Sequence, residues 1–306
     1  MRIYCIFFVT FADMKRFLLS ILCFAACSAR LHAQEATLPS PDAKSMGMGG
    51  LTMTVRNASH ALYLNPAMGA FSRTPVQISS SYYKQGDYDS YAVSGAVRFG
   101  QNNCSHIGWR QYLREKGNND KALDLGYSRR IGRSWAVGAV TRYTRLTRPD
   151  QTTNALALDF SVAWIHPLET LGSFSTLRAG AKLANIGGYF KHTDYELPMN
   201  CTAGVALDTF LSDAHEITVG TDFGYYCNPS PVRGFQWSLG AEYNLMQLVQ
   251  FRAGYHYGER RAYYPCYTSV GAGVRFLHLR LDFAYLFAAK HTAFRNTYSF
   301  SFGLDF

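Results

Sequence analysis

The feature that most constrains this chain is a side-chain period of two that recurs from Pro75 to the last residue. It is plainest at the end, "NTYSFSFGLDF" (296–306), where Tyr298, Phe300, Phe302, Leu304 and Phe306 alternate with Ser299, Ser301, Gly303 and Asp305. Such alternation places one face of a strand in an apolar medium and the other in a polar one. One strand of this kind would suit a soluble sandwich equally well, so the rest of the chain has to decide.

The pattern recurs in about fourteen strand-like runs with turn signals between them: 76–84, 91–99, 105–112, 121–129, 134–147, 154–165, 173–184, 200–210, 215–226, 234–244, 247–257, 268–276, 278–288 and 296–306. Many reach the length of about 9–11 residues that a tilted strand needs to cross a hydrocarbon core. One parity is apolar, as in Leu156, Leu158, Phe160, Val162 and Trp164, or Leu279, Leu281, Phe283, Tyr285 and Phe287. The other parity carries Arg98, Arg110, Asp124, Arg142, Asp159, Arg178, Lys182, Asp208, Asp222, Glu242, Arg252, Arg275, Arg280, Asp282 and Asp305, interleaved with glycines such as Gly126, Gly180, Gly240 and Gly254. A soluble sandwich points its apolar face inward and has no use for a core of mixed charge. The expected fold is all-β: a transmembrane antiparallel β-barrel of about fourteen strands over 75–306, apolar outside and polar within, with lumen charges paired across the barrel. Composition agrees, since charged residues make up only 17% while aromatics reach 15%, with 21 Tyr and 21 Phe.

Connection lengths predict an orientation. Short links at 130–133, 245–246 and around 277 fall on the rim that holds both ends of an even-stranded barrel, expected to be periplasmic, and the longer 113–120, 185–199, 227–233, 258–267 and 289–295 fall outside. Phe306 then ends the closing strand. The residues Tyr298, Phe300, Phe302, Leu304 and Phe306 resemble the terminal aromatic signal by which outer-membrane proteins are delivered for insertion.

At the other end, Lys15-Arg16, the apolar run Phe17 to Cys27 and the small and polar residues up to Ala33 read as a secretory signal peptide over 1–33, cleaved before Gln34, with 1–13 an upstream extension. A lipoprotein reading would use Cys27, but Phe24 is a poor residue three before a lipidated cysteine. No later segment has the 18 or more uncharged apolar residues of a spanning helix.

The formal charge of +9 is scattered over strands and loops and not gathered on one element, which argues against a nucleic-acid partner and for anionic lipid and lipopolysaccharide. No metal or cofactor motif is present, and none of the nine His sits in a nucleophile motif, so no enzyme is expected. Gly47-Met48-Gly49-Gly50 lacks the lysine and context of a phosphate loop. In an exported chain Cys201 and Cys227, near the outer ends of one hairpin, lie within disulfide reach. Cys266 is a competing partner, and Cys104 is expected to stay free.

Residues 34–74 do not read as a hairpin. They hold a Gly-rich turn, a short helix capped by Asn57 or Ser59, and Asn65-Pro66 to end it. A periplasmic linker would fit, but the apolar Ala61-Leu62-Tyr63-Leu64 is costly in water, and the expectation is a hatch folded into the lumen against the glycines.

Here the motif from Pro41 through Asp42, Ser45, Gly47, Gly49 and Gly50, followed by Asn65-Pro66-Ala67, resembles a paired signature of the PorV/PorQ outer-membrane proteins of Bacteroidetes, relatives of the FadL fatty-acid transporters. Leu125 to Gly132 is similar to a second family stretch. The resemblance implies a fourteen-stranded barrel in the outer membrane and a role in type IX secretion, binding cargo or other subunits of the secretion machinery. The loop aromatics Tyr189, Phe190, Tyr263, Tyr264 and Phe294 are then the expected partner contacts. A FadL-like channel for small hydrophobic compounds is the alternative, against which the charged lumen counts.

Overall fold

A computed structural model describes residues 42–56, 60–86, 88–113, 118–148, 152–168, 175–190, 196–259, 264–289, 292 and 294–306. The expected signal peptide and its cleavage site, the helix caps Asn57 and Ser59, and Tyr263 lie outside them.

The period of two builds fourteen antiparallel strands: β1 (Val76–Gln85), β2 (Tyr88–Phe99), β3 (Asn103–Leu113), β4 (Asn119–Ile131), β5 (Trp135–Thr147), β6 (Thr152–Leu168), β7 (Ser175–Tyr189), β8 (Met199–Ser212), β9 (His215–Asn228), β10 (Gly234–Leu245), β11 (Val249–Gly258), β12 (Tyr267–Phe276), β13 (Leu279–Ala288) and β14 (Thr297–Asp305). Each pairs with its neighbours in sequence, and β14 pairs back onto β1 with Tyr82 opposite Phe300, so the sheet closes into a barrel without a free edge. The closing seam is completed by Val76 and Phe306, which exchange backbone hydrogen bonds of 3.1 and 2.9 Å.

The polarity is inside out. On β6 Leu156, Leu158 and Phe160 are exposed while Ala155, Ala157, Asp159 and Ala163 are buried, and on β14 Phe300 and Phe302 point outward over buried Thr297, Ser299 and Ser301. So wide an exposed apolar belt is stable only against lipid. Among the described residues no helix is long and apolar enough to cross a membrane.

Short turns at 100–102, 132–134, 213–214, 246–248 and 277–278 all lie on the rim that holds the start of β1 and the end of β14, here called the terminal rim. Most strand boundaries shift somewhat from expectation, and two of the shifts have a plain local cause. Met246 and Gln247 take left-handed φ of 53° and 57° and make the turn, so β11 starts only at Val249. On the opposite, far rim, β7 continues to Tyr189, into the stretch expected to be loop. A bulge at Asn185 (φ 62°) makes this continuation work, because its N–H donates to Asp159 Oδ1 at 2.8 Å and its side chain accepts from Arg142 at 2.7 Å.

Inside the barrel lie residues 42–56 and 60–74. Two short helices, α1 (Ala43–Gly47) and α2 (Pro66–Gly69), anchor this hatch. Asn65-Pro66 opens α2 where a helix end was expected. Asn65 is held extended at φ −135° by the following proline, its Oδ1 accepts from Ala67 N at 3.1 Å, and Pro66 needs no donor at the first helical position. Ala61 to Leu64 form turns and no helix.

Candidate functional site: a hatch in a charged lumen

Each described motif residue of the hatch has a structural task. Asp42 caps α1 by accepting from Ser45 N at 2.8 Å, and its second oxygen accepts from His60 N at 3.1 Å, tying the two hatch stretches together. Ser45 Oγ donates to Leu51 O at 2.5 Å, and Ser45 O accepts from Gly50 N at 2.9 Å. Gly47 O and Gly49 N both bond Ser269 Oγ of β12, at 3.1 and 2.9 Å. Gly49 has φ 72°, and a Cβ there would sit 2.7 Å from Leu239 O and Tyr255 N, so neither the conformation nor the space admits a side chain. Asn65 Nδ2 donates to Met53 O at 2.9 Å and to Val162 O of β6 at 3.3 Å. Ala67 packs with Ala136 and Ala163 of the wall.

The inward glycines of the barrel receive this segment. Gly240 and Gly254 lie against Met48 and Gly49, and a Cβ on Gly180 would come 2.5 Å from Met53 O. The barrel also reaches in with charge. Asp222 Oδ2 accepts from Thr52 N at 2.6 Å, Thr52 Oγ1 at 3.1 Å and Met53 N at 3.0 Å. Lys182 Nζ donates to Leu64 O at 2.6 Å and Tyr63 O at 3.2 Å. Arg178 Nη1 donates to Thr54 O, and Ala43 N donates to Ser301 Oγ at 3.0 Å.

The lumen charges pair, as their mixed signs predict. Asp124 holds Arg110 at 3.1 Å and Arg142 at 2.6 Å, and Arg142 reaches Asp159 at 2.9 Å. Arg252 bridges Glu242 at 2.6 Å and Asp282 at 2.7 Å, and hatch Lys44 joins Glu242 at 2.9 Å. Buried charges persist in low dielectric only when so paired. His60 in the hatch is pushed down to about 3, by burial first and then by Arg280 and Arg110, so its ring stays neutral beside Ser94 Oγ at 2.6 Å.

Above the hatch, toward the far rim, a cavity of about 200 Å³ remains, lined by Arg142, Asp159, Lys182, Asp222, Tyr226 and His256 among others. Its walls are polar. Among the described residues no cluster of His, Cys, Asp and Glu has the make-up of a metal site.

The remaining residues singled out by sequence are not gathered at one place. Tyr298, Phe300, Phe302, Leu304 and Phe306 face outward along the closing seam. Cys201 and Cys227 Sγ atoms lie 3.6 Å apart as free thiols, while Cys266 Sγ is engaged with the backbone of Gly258 at 3.4 Å and Cys104 is buried. The expected row of exposed aromatics needs correction. Tyr264 is 7% exposed, stacks on Tyr226 at 5.1 Å and donates to Val232 O at 2.5 Å. Phe294 stacks on Tyr267 at 5.7 Å, and Tyr189 packs against Ala155, Ala157 and Leu197. Apolar rings with partners inside the loops fold inward, whereas Phe190, 61% exposed, stays on the surface with its ring 6.1 Å from that of Tyr143. Sequence reading also missed Ser269, Ser301 and Asp222 as hatch anchors. Parity shows that such residues point inward, but not what they meet.

The closed antiparallel barrel of fourteen strands around its own N-terminal segment defines a FadL-like fold. No protein-family model matches the chain, and no curated sequence matches it. Among solved structures it is similar to CymD, a monoaromatic hydrocarbon channel (15% identity, TM-score 0.59, covering 87% of this chain and 98% of that one). It is also similar to the toluene transporter TodX of Pseudomonas putida (13%, 0.58, 86% and 97%) and to a FadL homologue of Pseudomonas aeruginosa (12%, 0.54, 88% and 99%).

Proposed function

We propose that this protein is an outer-membrane transport barrel of the FadL-like kind, carrying small hydrophobic compounds through the outer membrane of a Gram-negative cell. The observation that carries the reading is the overlap in fold with CymD and TodX along nearly their whole length, in a chain whose outward belt is built for lipid. The hatch residues that resemble the PorV/PorQ signature serve to fold and hold the hatch, a role a transport barrel needs as much as a secretion component does. Lipid and lipopolysaccharide are its surroundings in this reading.

A second reading is favoured by one specific observation, the polar, ion-paired lumen, which makes poor walls for a hydrocarbon. In it the barrel is a type IX secretion component of the PorV/PorQ type in a Bacteroidetes cell, holding cargo or a partner subunit at its far rim, where Phe190 is exposed. Deleting the gene separates the two. Impaired uptake of toluene with normal surface display of type IX cargo supports the channel. Normal uptake with cargo trapped in the periplasm supports the secretion component and overturns the first reading.

A further inference from the structure

A smaller cavity, of about 60 Å³, lies toward the terminal rim between the hatch and strands β7 to β12. The hatch contributes Lys44 and Arg56 to its wall, and the barrel contributes Arg178 and Arg275. The carboxylates there are all engaged. Asp208 accepts from Arg178 and from Arg56 at 3.1 Å, Glu242 is held by Lys44 and Arg252, and Glu216 accepts from Asn244 at 2.9 Å.

Two guanidinium groups are left with donors to spare. Arg275 Nε and Nη2 and Arg178 Nε are buried without a hydrogen-bond partner. Among the described residues no carboxylate lies within ion-pair distance of Arg275. Its direct neighbour across the β12–β13 ladder is Arg280, a like charge already committed to Asp305 at 2.8 Å. Glu242 and Asp282 act on Arg275 only from beyond ion-pair distance, and buried donors without acceptors are costly enough that folded proteins rarely keep them empty-handed. An anion with several acceptor oxygens suits a wall that holds two guanidinium groups, which match such oxyanions in shape as well as charge.

We propose that this cavity is a binding site for a small tetrahedral oxyanion, a phosphate group, which staples the hatch to the barrel wall through Arg275 and Arg178. The cavity is of the size of one phosphate. Because hatch residues Lys44 and Arg56 share its wall, occupation strengthens the hold on the hatch. The site does not depend on what the barrel transports.

Titration calorimetry of the full-length protein in phosphate-free detergent solution, with sodium phosphate as titrant and sodium chloride at matched ionic strength as control, tests it. The expected result is one saturable phosphate site, unaffected by chloride, about tenfold weaker in Arg275→Met, as loss of a charge-assisted donor pair implies. Arg145→Met, on the outward far end of β5, should bind as the wild type does. If Arg275→Met fails to fold, Arg56→Met, at a half-exposed hatch position, should show the weakening instead. Saturable binding of dihexanoyl phosphatidic acid but not of inorganic phosphate assigns the same site to a lipid headgroup. Absence of saturable binding of either, equal competition by chloride, or unchanged affinity in both variants overturns the proposal.

Discussion

Asp222, midway along β9, holds Thr52 of the hatch by both its backbone N–H, at 2.6 Å, and its hydroxyl, at 3.1 Å. The same oxygen takes Met53 N at 3.0 Å, so one wall carboxylate fixes the middle of the hatch. Asp222→Ala leaves the buried N–H of Met53 and the half-buried N–H of Thr52 without an acceptor, a loss of about 1–3 kcal/mol from the hatch. The barrel itself should persist, seen as unchanged heat-modifiable mobility on gels, while protease nicks the hatch faster. Equal protease resistance of variant and wild type would show that Asp222 does not anchor it.

The glycine floor gives an independent test. Gly254 lies against Gly49 so closely that any Cβ must displace the hatch backbone. Gly254→Val keeps a strand-favouring residue in β11, so the barrel should assemble while the hatch is displaced at an overpacking cost of about 1–3 kcal/mol. A crystal structure of the variant with the hatch backbone unmoved would refute the packing.

Arg252 sits between Glu242 and Asp282, and Lys44 of the hatch completes the group. Arg252→Met strands two buried carboxylates against one lysine. The expected destabilisation is about 3–5 kcal/mol in urea unfolding, far above the effect of Arg145→Met on the outer face. Matching midpoints for the two variants would contradict the pairing.

The thiols of Cys201 and Cys227 stand 3.6 Å apart, near enough to form a disulfide after a small adjustment. Mild oxidation should join these two, leaving Cys266 with Gly258 and Cys104 buried and reduced. Non-reducing peptide mapping reads the outcome, and a bridge involving Cys104 would overturn the strand order.

The barrel was legible because its determinants are local and periodic. Leu156 to Trp164 declare their outward face by alternation alone, and the turn residues between runs set where each strand ends. The hatch was legible only as an apolar segment in need of cover, with glycines opposite to receive it. Its details were not, because they arise from pairs remote in sequence, such as Gly49 with Ser269 or Thr52 with Asp222. The helix start at Asn65 was misread because Asn-Pro marks both an end and a beginning, and only the Asn65 side chain bonding Ala67 N settles which. The loop aromatics were misread for a related reason. Tyr264 finds Tyr226 and Val232 as partners, and no rule of composition separates such a ring from one left for a binding partner.

That the N-terminal segment plugs the lumen is the claim on which the transport reading and the oxyanion site both rest. Single-channel recording in planar bilayers tests it directly, comparing the intact protein with one lacking residues 42–68 whose barrel is verified by its heat-modifiable mobility. The account predicts little or no conductance from the intact protein and a stable, much larger conductance after the deletion. Equal conductance in the two would contradict it, placing the segment outside the path through the barrel.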